Sequence, residues 1–294
     1  MPRRVLSLVS GRISVAILLA IALLAVFGPL LAPQDPLATS PDTLAGPSGG
    51  HWLGTDYLGR DVFSRLLDGS RISVVGSLEV ALMALVVGAI PGILSVYLGR
   101  AFEWFTLRLA DTLVALPFLL FAVAVTALLG NGITQAMFVT GALVSPLFYR
   151  VARSATLAVA RSQYVEAALI SGASLGWVVR RHVWVKVLPP IAVALAQTIG
   201  VGFVIVSSLT FLGIGVQPPA PTWGGLLASD LGYLSYQPWA PFAPALLIMA
   251  TVWACNLLAD AIRDVSGEAG RALANTRRAA ANQKANQTAA GGRA

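Results

Sequence analysis

Stretches of about twenty mostly apolar residues recur six times along this 294-residue chain, and no other feature limits its fold so strongly. A bilayer core about 30 Å thick is crossed by a helix of roughly 20 apolar residues. The stretches lie at about 13–32, 74–98, 109–129, 133–149, 191–216 and 242–259. Most are too long for buried helices of a water-soluble domain, and none alternates with the period of two that marks a half-buried strand. Charged residues make up 11% of the chain, under half of the about 25% that keeps a soluble surface wet. A soluble enzyme is excluded, and the expectation is an all-α polytopic membrane protein with six transmembrane helices.

Arg3, Arg4 and Arg12 precede the first stretch, as basic residues precede a secretory signal. Its apolar run exceeds the roughly 7–15 residues of a cleavable signal and five further stretches follow, so it is read as a retained first helix. Basic residues then set the orientation. With the N-terminus in the cytoplasm, 17 of the 20 Lys and Arg residues fall on the inner side, and only Arg60, Arg65 and Arg71 lie outside. That asymmetry places both termini in the cytoplasm. The net charge of +7 and pI of 10.2 follow from this topology, and no nucleic-acid partner is called for. Residues 1–12 form a cytoplasmic N-terminus, 13–267 the transmembrane domain, and 268–294 a polar cytoplasmic tail without assignable chemistry.

Cys255 is the single cysteine, and His51 and His182 lie far apart, so no intrachain disulfide and no metal-ligand spacing exists. No nucleophile–base set stands out, and no phosphate-cradling Gly-x-x-x-x-Gly-Lys-Ser/Thr run occurs. Catalytic, cofactor-binding and metal sites are expected to be absent.

Three connections are long. The outer segment 33–73 opens with Pro33, Pro36, Pro41 and Pro47, an extended stretch. Thr55 or Asp56 then caps an amphipathic helix with Leu58, Val62, Phe63, Leu66 and Leu67 on one side. Arg60, Asp61, Arg65 and Asp68 form its polar side, Asp61 stands four residues before Arg65 in the favourable order, and Gly69 ends it. Such a helix lies on the outer membrane surface, as an interfacial anchor or as a partner contact. The outer segment 217–241 is broken by prolines and bracketed by Trp223, Tyr233, Tyr236 and Trp239, which suit the headgroup region.

The inner segment 150–190 holds Tyr164-Val-Glu-Ala-Ala-Leu-Ile-Ser, a run of helix formers broken by Gly172, and Ser174 can cap a second short helix running toward Pro189. This makes a knob in which Ala167, Ala168, Gly172 and Ala173 permit close approach by another protein, and Glu166 is the lone carboxylate among six basic residues. Within the spans, Glu79 is either a pathway carboxylate or a near-interface residue about two turns below Arg71. Pro91, Pro117 and Pro146 kink helices, Gly88 and Gly92 form a small-residue contact face, and Asn256 can hydrogen-bond across helices.

Four motifs carry a resemblance. Glu166-Ala-Ala-Leu-Ile-Ser-Gly172 resembles the EAA motif of permease subunits of binding-protein-dependent ABC importers. His51-Trp-Leu-Gly-Thr-Asp-Tyr-Leu-Gly-Arg-Asp61, Phe211-Leu-Gly-Ile-Gly-Val-Gln-Pro-Pro219 with Trp223-Gly224, and Asn256-Leu-Leu-Ala-Asp260 with Arg263-Asp264 resemble the dipeptide/oligopeptide/nickel branch. The match runs from about residue 10 to 267, and the chain resembles the second, C-type, permease of that branch. The resemblance implies a homologous permease partner, two cytoplasmic ATPase subunits that bind the ATP and Mg, and an extracytoplasmic solute-binding protein, in a bacterial inner membrane. It assigns ATPase coupling to Glu166, Ala167, Ala168, Gly172, Ala173 and Ser174, and leaves Glu79, Pro117 and Asn256 to pathway or packing. Peptides are the implied solute, with nickel or another small solute as the alternative. An ion-gradient-driven secondary transporter would call for an inverted repeat or paired broken helices, and neither is evident. Leu188-Pro189 follow Gly172 by 16 and 17 residues, four more than the family's usual spacing, and Leu175-Gly176 replace a polar-then-apolar pair.

Overall fold

Because lipid offers the backbone no hydrogen bonds, the apolar stretches must satisfy their own amides, and they do so as helices. The computed structural model describes residues 2–130 and 132–267, without the side chains of residues 2, 3, 164, 166, 167, 169, 175 and 182. The helices are α1 (Pro2–Val5), α2 (Val9–Leu31), α3 (Val62–Leu94), α4 (Arg100–Ala115), α5 (Phe118–Leu128), α6 (Ile133–Ala160), α7 (Gln163–Ile170), α8 (Leu175–Val178), α9 (Trp184–Phe211), α10 (Trp223–Leu231) and α11 (Phe242–Ser266). Among the described residues there is no strand, only an isolated bridge between Thr55 and Asp61.

Four helices, α2, α3, α9 and α11, are long and apolar enough to cross a bilayer, and α4 with α5 makes a fifth candidate that bends by 99°. The stretch at 109–129 is therefore not one straight helix. Leu116 is extended and Pro117 is the N-cap of α5, because the residue before a proline is pushed out of helical geometry. The fourth stretch is the front of the 28-residue α6, which runs on through Arg150 and Arg153 to Ala160. Pro91 and Pro146 sit inside α3 and α6.

The α3–α6 pair is the spine of the bundle. The two helices run parallel, with Gly76 beside Met137, Gly141 against Met83, and Gly92 against Tyr149. Neither Gly88 nor Gly92 has room for a Cβ, which would run into the carbonyls of Ser145 and Tyr149. Both glycines thus set the approach of the two backbones. Antiparallel to them, α9 brings Gly202 to Ser77. The bundle consequently has two ends. One carries residues 33–61 and 212–241; the other carries the start of α2, residues 95–103, residues 150–187 and the end of α11.

At this second end, Arg153 donates to Ser95 Oγ at 2.9 Å and to Glu103 Oε1 at 2.5 Å, tying α6 to the turn after α3 and to α4. Among the described residues Asn256 does not bridge helices: it is exposed, and its Nδ2 donates to Val252 O of its own helix at 3.0 Å.

Candidate functional site

The knob is built as a turn of chain laid over the ends of α6 and α9. Val165 on α7, Val178 on α8, and Val183 and Val187 beyond it are buried in one cluster with Phe148, Ala152 and Val159. Gly172 stands between α7 and α8 with φ of +85°, a left-handed value that costs glycine nothing and other residues energy. The Ala173 amide donates to Ala168 O at 3.0 Å, closing the end of α7. Ser174 Oγ accepts from the Trp177 amide at 3.4 Å, as an N-cap does.

The structure sorts the implied coupling residues. Gly172 and Ser174 are exposed, whereas Ala168 and Ala173 are half-buried and pack inward on the chain's own cluster. Ala168 and Ala173 therefore help seat the knob on the bundle. The side chains of Glu166 and Ala167 lie outside the described residues, though both belong to α7. Two apolar side chains that sequence reasoning missed stand out from the knob: Ile170, 86% exposed, and Trp177, 46% exposed. Their signal was an apolar residue placed where neither the cluster nor a membrane claims it.

The second short helix does not stop before the next span. Leu175–Val178 passes through a wide π-helical turn, Val179–Val183, straight into α9, which contains Pro189 and Pro190. Beside this junction a cavity of about 720 Å³ is lined by Leu147, Val151, Lys186, Pro190, Gln197 and Arg263, among others.

The opposite end is an ordered cap, and it departs from the expected surface helix. Helix α3 starts at Val62, after Thr55 and Asp56, and runs past Gly69 to Leu94. Asp61 is its N-cap, accepting from the Ser64 amide at 2.8 Å, and it faces His51 Nδ1 at 3.0 Å rather than Arg65. Gly69 ends nothing; a Cβ there would sit 3.2 Å from Pro221 and Thr222. Arg60, Asp61 and Arg65 are buried, not solvated. Asp56 holds both arginines, with Arg60 Nε at 2.7 Å and Arg65 Nε at 3.5 Å, and also accepts from the amides of Leu58 and Arg60.

Trp223 is likewise no headgroup anchor. It is fully buried, its amide donates to Ser73 Oγ at 3.0 Å, its Nε1 to Leu66 O at 3.1 Å, and its ring stacks on Phe203. Tyr233 stacks on Tyr57 with centroids 5.3 Å apart, while Tyr236 and Trp239 are exposed. Gln237 Nε2 donates to Ala45 O at 2.7 Å and Thr55 O at 3.0 Å, clasping the two cap segments together.

Glu79 sits on α3 with its side chain exposed, eight residues past Arg71 on the same helix, and has no ion pair among the described residues. Cys255 is a buried free thiol, and the described residues hold no group of metal-binding side chains.

A bundle of long apolar helices with a short-helix knob at one end and an ordered cap at the other defines a multi-pass membrane protein. The chain belongs to the family of binding-protein-dependent transport system inner membrane components, whose model matches residues 69–268; residues 10–47 match the N-terminal TM domain of oligopeptide transport permease C. The dipeptide transport system permease protein DppC of Alkalihalophilus pseudofirmus is 32% identical over 253 residues, covering 86% of this chain and 83% of that protein. The glutathione transport system permease protein GsiD of Pectobacterium atrosepticum is 36% identical, covering 74% and 73%. The probable D,D-dipeptide transport system permease protein DdpC of Escherichia coli is 35% identical, covering 86% and 85%. Among solved structures, a chain of the inward-facing MetNI methionine ABC transporter has the same fold, with TM-score 0.57 and 18% identity over 69% of this chain and 97% of that one.

Proposed function

We propose that this chain is one of two homologous permease subunits of an ATP-driven importer of peptides in a bacterial plasma membrane. The cap faces outward to a solute-binding protein, and the knob faces the cytoplasm, where two ATPase subunits bind ATP and Mg. Support for the solute comes from relatives named for dipeptide, D,D-dipeptide and glutathione transport. Support for the orientation comes from the basic residues, which gather at the knob end.

One observation carries the reading: Ile170 at the end of α7 and the Gly172 turn stand exposed at the knob end, while Val165, Val178 and Val183 pin the knob to the ends of α6 and α9. A force applied to α7 thus reaches two long helices directly. Glu166, Gly172 and Ser174 meet the ATPase, with Ala167 beside them on α7, while Ala168 and Ala173 hold α7 to the bundle. ATP binding closes the ATPase pair, the knobs move with it, and the helices open toward the cap. Solute then passes between the two permease chains, and hydrolysis restores the inward state.

The test is peptide uptake by proteoliposomes holding the complete importer with Glu166→Ala or Gly172→Ala in this chain. Both variants are expected to insert and assemble but to lose coupling of ATP hydrolysis to uptake. Wild-type uptake in both overturns the assignment.

A further inference from the structure

A cavity of about 200 Å³ opens in the cap between the start of α3 and residues 210–229, walled by Tyr57, Arg60 and Arg65 on one side and by Phe211, Val216 and Leu226 on the other. It is several times the ~30 Å³ that one water molecule takes in the liquid. Arg60 is buried, yet only its Nε is used, on Asp56; its Nη1 and Nη2 make no hydrogen bond among the described residues. Its guanidinium lies 5.6 Å from the centroid of the Tyr57 ring. Arg65 is committed, with its Nε 3.5 Å from Asp56 and its Nη1 and Nη2 donating to the Pro36 and Pro219 carbonyls, whereas the buried Asp230 Oδ2 has no hydrogen bond among the described residues. The Arg60 Nη atoms are not sealed in the protein, and Arg60 lines the cavity, so its free guanidinium edge offers a two-donor fork to an acceptor there.

We propose that this cavity receives the carboxylate of a small organic anion, which on the reading above is the C-terminal carboxylate of the peptide arriving from the binding protein. Arg60 supplies the fork that a carboxylate accepts two-handed, and the apolar wall takes the adjoining side chain. The local charge favours an anion. Arg60 and Arg65 face one committed carboxylate, Asp56, because burial and the neighbouring Asp56 raise the Asp230 pKa to about 7 against the pull of Arg65. Anion binding weakens as the pH rises past that value and Asp230 ionises.

The experiment uses the purified importer, with both permease chains and the ATPases but no binding protein, in lipid nanodiscs. Equilibrium dialysis measures radiolabelled alanyl-alanine, its C-terminal amide, and acetate. Saturable binding of the free acid, about tenfold tighter than the amide, supports the site. Equal binding of acid and amide, or none of either up to about 10 mM, overturns it. Acetate binding as tight as the dipeptide overturns the peptide and leaves a bare anion site as the answer. Since Arg60 also holds Asp56, Arg60→Lys is read beside Val216→Trp, which fills the cavity from the far wall; assembled complexes of both are expected to lose the acid's advantage, and its retention in either overturns the proposal. The complete importer separates the two readings. Dipeptide uptake without acid–amide discrimination sinks only this site, whereas no peptide uptake by the wild type sinks the proposed function.

Discussion

Gly172 is the point at which backbone geometry and proposed coupling can be separated by measurement. Its φ is +85°, and a Cβ built there meets nothing within 4 Å. Gly172→Ala therefore adds no clash, and its whole cost is the left-handed backbone, roughly 1–2 kcal/mol. That energy lowers the population of the native turn by a factor of roughly 5–30. Asparagine tolerates left-handed geometry better than alanine, so Gly172→Asn loses less. The assay is the ATPase rate of the reconstituted importer stimulated by peptide-loaded binding protein, with membrane insertion checked by immunoblot. The expected order is wild type, then Asn, then Ala, with Ala about fivefold or more below wild type. An alanine variant equal to wild type, or an asparagine variant worse than alanine, refutes the argument that the turn angle matters.

Three further outcomes follow from the packing. Trp223→Phe keeps the ring against Phe203 but loses the bond to Leu66 O, costing about 0.5–1.5 kcal/mol, whereas Trp223→Ala costs about 3–5 kcal/mol; thermal unfolding in detergent ranks the two. Gly88→Ala forces a Cβ into the Ser145 carbonyl and is expected to reduce the yield of folded protein in size-exclusion chromatography far more than Gly172→Ala, which has open space. Asp230 holds its proton to about pH 7 in the folded chain against an ordinary 3.8. The folded state then binds more protons than the unfolded state between these values, so stability falls as the pH rises from about 4 to 7. Asp230→Asn is expected to flatten that part of a melting-temperature profile, and an unchanged slope would count against the raised pKa.

Hydropathy made the apolar stretches legible, because period and length are local properties. The break at Pro117 was legible for the same reason, but its 99° angle was not, since it depends on what α5 packs against. Gly69 shows how one residue type carries two meanings. A glycine after an amphipathic run reads as a helix end, yet here it lets Thr222 approach from more than 150 residues away. Trp223 misled in the same manner: its partners Leu66, Ser73 and Phe203 are distant in sequence, so only its amphipathic chemistry was visible. Arg60 and Arg65 read as the polar side of a surface helix, because their burial depends on Asp56 and on the cap folding over them. At the knob, the glycine break and the Ser174 cap were local and readable, whereas the inward packing of Ala168 and Ala173 required the ends of α6 and α9.

The clasp of Gln237 on Ala45 and Thr55, with Trp223 on Leu66, has a consequence for biogenesis. Residues 33–61 leave the ribosome early, and although the Ala45 carbonyl accepts from the Thr55 amide at once, the side-chain donor that ties both carbonyls to the far segment comes only with residue 237. The two halves of the extramembrane lid come from opposite parts of the message, and the first must wait for the second. A chain ending after α9 would lack Trp223 and Gln237, and with them every one of these bonds between the two segments.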